Sequence, residues 1–235
     1  MIFFVTGTDT GIGKTYATAL LAKGFSLLGK KVITQKPVQT GADYPEDLNL
    51  HRKLAGMSAD PPELLKLTSP YIFKFPAAPE LAARLENQKV DILHLKKCAE
   101  ELEKRFEVVL LEGAGGLYVP ITREETFLDF ISLLMCPVFL VSAARLGTIN
   151  HTLLSINALK QRGIYIAGLI YNLYFSEDDI ISRESLEDIK RLGEIEHVLI
   201  MPRIEDSIPQ ELALSAKEFL GNVLKFPGFC SLNSK

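Results

Sequence analysis

Short, nearly continuous apolar runs alternate along the chain with stretches in which apolar positions recur every three or four residues. Runs of the first kind occupy residues 2–5, 32–34, 108–111, 138–141, 166–170 and 198–200. A strand with one wet face alternates apolar and polar residues, so a run without alternation needs cover on both faces. The intervals leave room for a crossover helix between most of the strands. The pattern therefore predicts an α/β fold in three layers, with a mainly parallel central sheet flanked by helices. Between the first two runs, Ala17, Leu20, Leu21, Phe25 and Leu28 mark one face of a helix over residues 15–28, with Gly29 as its stop. Asn150 is expected to cap a second helix over 151–162, ahead of Gly163. Residues 37–85, rich in proline and polar residues, are expected to form loops and short helices over the carboxyl edge of the sheet. At 235 residues, with no linker-like or low-complexity stretch, the chain is expected to be one domain over 1–235, with 226–235 as a loose tail.

Composition narrows the partners. Hydrophobic residues at 47% and charged residues at 23% are ordinary globular values, and a formal net charge of −3 gives no electrostatic case for nucleic acid. A small-molecule partner is expected. Cys98, Cys136 and Cys230 are far apart and odd in number, which fits neither a disulfide framework nor a Cys-x-x-Cys metal site. A reducing cytoplasm is the simplest compartment. Met1 leads straight into Ile2-Phe3-Phe4-Val5 without a basic leader, and no run reaches the ~18 apolar residues of a membrane span, so no membrane association is expected. His51, His94, His151 and His197 lack metal-ligand spacing and are expected at the surface or at helix caps.

The chemistry concentrates at the ends of the apolar runs. Gly7-Thr8-Asp9-Thr10-Gly11-Ile12-Gly13-Lys14-Thr15 follows the first strand and opens a helix, in the spacing Gly-x5-Gly-Lys-Thr. Such a turn aims successive backbone N–H groups and the positive end of a helix at a phosphate, and makes the expected three-layer α/β fold P-loop NTPase-like. Lys14 would neutralise the β- and γ-phosphates, and Thr15 would offer its hydroxyl to Mg²⁺. The run 108–111 ends in Glu112, followed by Gly113-Ala114-Gly115-Gly116, which places an acid at a strand's carboxyl end where a second metal-coordinating group belongs. Lys36 follows the second strand on the same edge, where a second cation could stabilise charge during phosphoryl transfer. Asp47 is one acid in a polar loop.

Taken together, these segments resemble the dethiobiotin synthetase family. Alongside the phosphate loop, the resemblance runs through Lys36-Pro37-Val38 with Thr40-Gly41, Glu112-Gly113-Ala114-Gly115-Gly116, Pro120, Leu146-Gly147-Thr148-Ile149-Asn150-His151 and Asn172, covering residues 2 to about 204. It implies ATP- and Mg²⁺-dependent closure of 7,8-diaminopelargonate with CO₂ to dethiobiotin. The route implied is a carbamate and a carbamic-phosphoric anhydride, with release of ADP and phosphate, in biotin biosynthesis. By the same resemblance Lys14 and Lys36 are the catalytic residues, with Thr15, Asp47 and Glu112 serving Mg²⁺. Gly11, Ile12, Gly13, Lys14, Thr15, Tyr16, Asp47, Glu112, Gly113, Ala114, Gly115, Asn172, Pro202, Arg203 and Ile204 are the implied nucleotide contacts. Thr10, Lys36, Thr40, Thr148 and Asn150 are the implied substrate contacts, the last two reaching the neighbouring subunit of a homodimer. Gly11 stands where many members of the family carry an acidic residue, and Thr40 where serine is common. Two other classes share the phosphate loop: partitioning or regulatory ATPases, which usually carry an extra lysine absent from residues 6–12, and cobyrinate-type amide synthases, which need a glutaminase this chain is too short to hold.

Overall fold

Successive side chains of a strand leave on opposite faces, and the first strand shows why the run has no polar gap. In the computed structural model, which describes residues 1–226, β1 (Ile2–Gly7) sends Phe3 and Val5 into one apolar core and Phe4 into another. The phosphate loop then enters α1 (Lys14–Leu27), whose Ala17, Leu20, Leu21 and Phe25 cover the first of these cores. The chain returns through β2 (Val32–Gln35) and passes β3 (Val38–Thr40), α2 (Glu46–Ala55), α3 (Pro62–Thr68), β4 (Tyr71–Phe73), α4 (Pro79–Leu85) and α5 (Ile92–Glu103). Then follow β5 (Val108–Gly116), α6 (Phe127–Leu134), β6 (Val138–Ala143), α7 (Thr148–Gln161), β7 (Ile166–Asn172), α8 (Asp179–Gly193), β8 (Val198–Met201) and α9 (Gln210–Lys225).

Six of these strands form one sheet in the order β2-β5-β1-β6-β7-β8, every neighbouring pair parallel. The chain moves outward from β1 in one direction and later in the other, so the crevice at the carboxyl ends beside β1 is the switch point of the topology, where α/β sheets bind ligands. α1 and α9 pack on one face, while α5 and α6 close the other around Phe4, Val109, Leu111, Phe127 and Phe130. The three-layer architecture expected from the apolar runs is the one observed. Among the described residues no helix is long and apolar enough to cross a membrane.

Three local differences from the sequence reading have physical causes. β5 does not end at Leu111 but continues to Gly116, because the small residues after Glu112 keep pairing with β1 as far as Gly7 opposite Gly116. Residues 37–85 form the expected short helices but also a second, two-stranded parallel sheet of β3 and β4. Asn150 is not a cap: α7 begins at Thr148, Gly147 is the N-cap at φ 87°, and Asn150 is exposed in the first turn. The earlier start is held by Thr148, whose buried hydroxyl lies 2.8 Å from Ser142 Oγ at the end of β6. The expected loose tail lies, beyond Phe226, outside the described residues.

Candidate functional site

β1 ends beneath the phosphate loop, and the loop's turns use two glycines in the left-handed region, Gly11 at φ 72° and Gly13 at φ 94°. No side chain caps α1, so its first-turn N–H groups point into the crevice as an anion site. Lys14 folds back over the loop and donates from Nζ to the Asp9 carbonyl at 2.8 Å. Burial lowers its pKa to about 8, with a further push from the nearby Lys36 charge. Asp9 is held in turn by the exposed Arg145, 2.7 Å away, on the loop before α7.

Beside the loop, three elements deliver charged groups to one corner. Lys36 leaves the end of β2, Glu112 lies within β5, and Asp47 is in the acidic first turn of α2. Lys36 Nζ is 2.7 Å from Asp47 Oδ2, 2.7 Å from Glu112 Oε1 and 3.1 Å from the Gly113 carbonyl. Thr15 Oγ1 lies 3.2 Å from Asp47 Oδ1 and 3.0 Å from Glu112 Oε1. Burial alone would depress the Lys36 ammonium, but the Glu112 and Asp47 carboxylates outweigh it and raise the pKa. For Glu112, burial pushes up, yet the Lys36 charge and a hydrogen bond from His51 hold the carboxyl far below the usual carboxylate range.

This corner opens into a cavity of about 670 Å³ whose walls include Thr10, Lys14, Lys36, Thr40, Asp47 and Glu112. A second cavity, of about 550 Å³, runs from Asn172 to Pro202, Arg203 and Ile204, with Tyr174 and Phe175. Gly11, Gly13 and Tyr16 line both, so the phosphate loop is the shared wall. Asn172 closes on that wall, donating from Nδ2 to the Ile12 carbonyl at 2.8 Å. Ala114 and Gly115 line the first cavity, while Ile12 and Gly113 are buried behind it. Thr148 and Asn150 line neither cavity.

Sequence reasoning missed His51. Expected at the surface or at a helix cap, it is instead in the middle of α2 and fully buried at 0% exposure, with Nε2 2.6 Å from Glu112 Oε2. The available signal was its position four residues after Asp47, which puts both on one face of α2. Tyr174, stacked under the Arg203 guanidinium at 5.4 Å, was also missed. It sits in a short 3-10 turn after β7, where nothing in the pattern singled it out.

One hydroxyl and two carboxylates, all hard oxygen donors, meet at the corner. Magnesium favours such a set, taking one or two carboxylates and leaving its other positions to phosphate and water. The residues therefore fit that ion, although no group of three or more His, Cys, Asp or Glu side chains is arranged to hold a metal among the described residues.

A phosphate-binding turn, a lysine over it and acidic groups at the next strand's end place the molecule among P-loop nucleotide-using proteins. The family described as "AAA domain" matches residues 2–211. The fold is similar to the ParA family ATPase from Chlorobium tepidum TLS, with a TM-score of 0.54, 16% identity, and 98% of this chain and 96% of that one covered. It is also similar to the Pyrococcus furiosus cell division ATPase MinD, with a TM-score of 0.51, 21% identity and 98% and 94% covered. At these identities the likeness shows the fold alone. Sequence relatives are nearer. The ATP-dependent dethiobiotin synthetase BioD of Chlorobaculum tepidum is 44% identical over 197 residues, 82% of each chain. BioD 2 of Pasteurella multocida is 44% identical over 191 residues, 81% of this chain and 90% of its own. The chain belongs to the ATP-dependent dethiobiotin synthetase family.

Proposed function

We propose that this chain is the ligase that makes dethiobiotin in biotin biosynthesis, using ATP to close 7,8-diaminopelargonate and CO₂ into a cyclic urea. The observation that carries this reading, beside the family membership, is one cavity that brings Lys14 and Lys36 together with Thr10 and Thr40, next to the phosphate loop. One amine adds to CO₂ and loses a proton, giving a carbamate. A carbamate oxygen then attacks the γ-phosphorus as the bond to ADP breaks. The second amine attacks the carbamoyl carbon, phosphate leaves with its C–O bond, and the amine proton is lost. Little covalent chemistry falls to the protein, so positioning and charge stabilisation supply the rate.

Lys14 and the first turn of α1 hold the phosphoryl groups, and Lys36 bridges the carbamate oxygen and the γ-phosphoryl group. Thr10 and Thr40 hold the diamine. Gly11, Gly13, Tyr16, Ala114 and Gly115 line the path of the nucleotide, with Ile12 and Gly113 backing it from behind, and Asn172, Pro202, Arg203 and Ile204 receive the base. Thr15, Asp47 and Glu112 hold Mg²⁺, which when bound neutralises phosphate charge. One domain carries these groups, and its free, buried Cys98 and Cys136 suit the reducing cytoplasm.

The substrate carboxylate is held by a second copy of the chain. The first turn of α7, without a side-chain cap, offers the backbone N–H groups of Ile149 and Asn150 beside Thr148, and the adjoining surface exposes Leu146 at 82% and Leu154 at 60%. A two-fold axis through such a patch gives two composite sites per homodimer.

The decisive experiment incubates the protein with diaminopelargonate, bicarbonate, Mg²⁺ and ATP and follows products by mass spectrometry. ADP and dethiobiotin should appear together, and ADP without dethiobiotin would refute the assignment. For the shared site, inactive Lys14→Ala chains are co-refolded with chains altered at residues 148–150. Heterodimers should regain one intact site, and confirmed heterodimers without activity would exclude the arrangement.

A further inference from the structure

Behind Glu112 lies a buried hydrogen-bond chain that the reaction itself does not use. Arg52 sits in α2 next to His51 and is fixed by Asp60, with Nε 3.0 Å from Oδ1 and Nη2 2.8 Å from Oδ2. Its Nη1 donates to Thr34 Oγ1 on β2, and its Nη2 donates to the Thr34 carbonyl at 3.1 Å. Thr34 Oγ1 is 3.0 Å from His51 Nδ1, and His51 Nε2 is 2.6 Å from Glu112 Oε2. Thr34 is fully buried, as is His51, and Glu112 is 1% exposed, so water is not available to satisfy these groups.

Counting hydrogens orients the chain. Arginine only donates, so Thr34 Oγ1 accepts from Arg52 and has one hydrogen of its own to place. The acceptor within reach is His51 Nδ1. The imidazole then carries its proton on Nε2 and donates to Glu112 Oε2, and every polar atom in the series is paired, as buried groups require. The result is a one-way series, Arg52 to Thr34 to His51 to Glu112. It ties down Oε2 and turns Oε1 alone toward Thr15 and Lys36.

We propose that His51 is a positioning residue for the metal corner, fixing the rotation of the Glu112 carboxylate so that Oε1 faces the cation shared with Thr15 and Asp47. The inference rests on the reading of Glu112 as a Mg²⁺ group. Partners that hold a metal-binding side chain from behind typically contribute about 10–100-fold in metal affinity. A core histidine with no such role would affect stability but not the strength of cation binding.

The test is Mn²⁺ binding by electron paramagnetic resonance, with a non-hydrolysable ATP analogue present and folding checked by circular dichroism. His51→Leu, which fills the space without a donor, should weaken Mn²⁺ binding about 10–100-fold. His51→Gln, whose amide can still donate to Glu112, should recover most of it. Thr34→Val, which removes the hydroxyl behind the imidazole, should fall between the two. A folded His51→Leu protein with parental Mn²⁺ affinity overturns the proposal, as does equal loss in the Leu and Gln variants. If His51→Leu does not fold, parental affinity in Thr34→Val overturns it. Glu112→Gln is the control: if it too binds Mn²⁺ like the parent, the metal reading of the corner fails and the proposal falls with it, whereas loss there beside normal binding in the His51 variants rejects the positioning role alone.

Discussion

Two lysines reach the same edge of the sheet and meet opposite surroundings. Lys14, the first residue of α1, is buried over the phosphate loop with a backbone carbonyl as its acceptor, and its pKa falls to about 8. Lys36, at the end of β2, is equally buried but lies between Asp47 and Glu112, and its pKa is raised. Burial acts on both in the same direction, so the difference comes from the counter-charges. The loop has a cation with no carboxylate paired to it, suited to an incoming polyanion. The corner has a cation already balanced by acids, whose charge becomes free to act elsewhere when another cation engages those acids.

The largest expected effect tests the unpaired lysine. Lys14→Ala should fold normally and lose at least about 10²–10³ in turnover, the usual consequence of removing one preorganised electrostatic contact. Near-normal turnover in a folded variant would end the phosphate-loop assignment.

Replacing the balanced lysine should separate binding from chemistry. Lys36→Met should leave ATP affinity by calorimetry close to the parent and lower kcat by about 10², because its charge matters most when carbamate oxygen and phosphoryl group meet. A parallel loss of ATP affinity would make the two lysines equivalent and erase the contrast.

Glu112→Gln keeps the shape of one of the balancing acids and removes its charge. The Mg²⁺ concentration for half-maximal rate should rise by about 10-fold or more. An unchanged Mg²⁺ requirement would detach Glu112 from the metal.

The smallest effect, near neutral pH, is a titration. Because the Lys14 pKa is lowered to about 8, the free protein loses this positive charge as pH rises through that value, and affinity for an ATP analogue should decline there. Well above the pKa the limiting slope for one linked proton is about tenfold per pH unit. Lys14→Ala should flatten this component, and a parent profile without any decline between pH 7 and 9 would contradict the lowered pKa. The sign for stability is the reverse: the folded state bears an unfavourable buried charge below about 8, and that cost is relieved as pH rises toward the ordinary lysine value of 10.5.

The sheet was legible in the sequence because strands buried on both faces leave no polar gap, as 2–5 and 138–141 illustrate. The phosphate loop was legible because its glycines, lysine and threonine all fall in one short segment, Gly7 to Thr15, between a strand and a helix. What lay hidden depends on contacts between distant segments. His51 shares the face of α2 that carries Leu48, Leu54 and Ala55, but its partners, Thr34 on β2 and Glu112 on β5, come from distant segments that helical spacing alone does not reveal. Asn150 has the chemistry of a cap, but Ser142, six residues before Thr148, fixes the start of α7 through a buried hydroxyl pair. The strands β3 and β4 have three residues each, too few for any periodicity to register.

The two left-handed glycines of the phosphate loop face different futures under sequence drift. A Cβ at Gly13 would stand 2.5 Å from Asn172 Nδ2, on a backbone at φ 94° that other residues resist. Two independent constraints close that position, and any substitution there must also displace the side chain that holds the loop from β7. Gly11 has the backbone constraint alone, at φ 72°, with no atom within 4 Å of a Cβ. Random mutation should therefore find position 13 locked and position 11 open to residues that tolerate the left-handed region, asparagine and aspartate first among them. Of the two, Gly11 is the position whose surroundings leave room for a longer side chain over the mouth of the site.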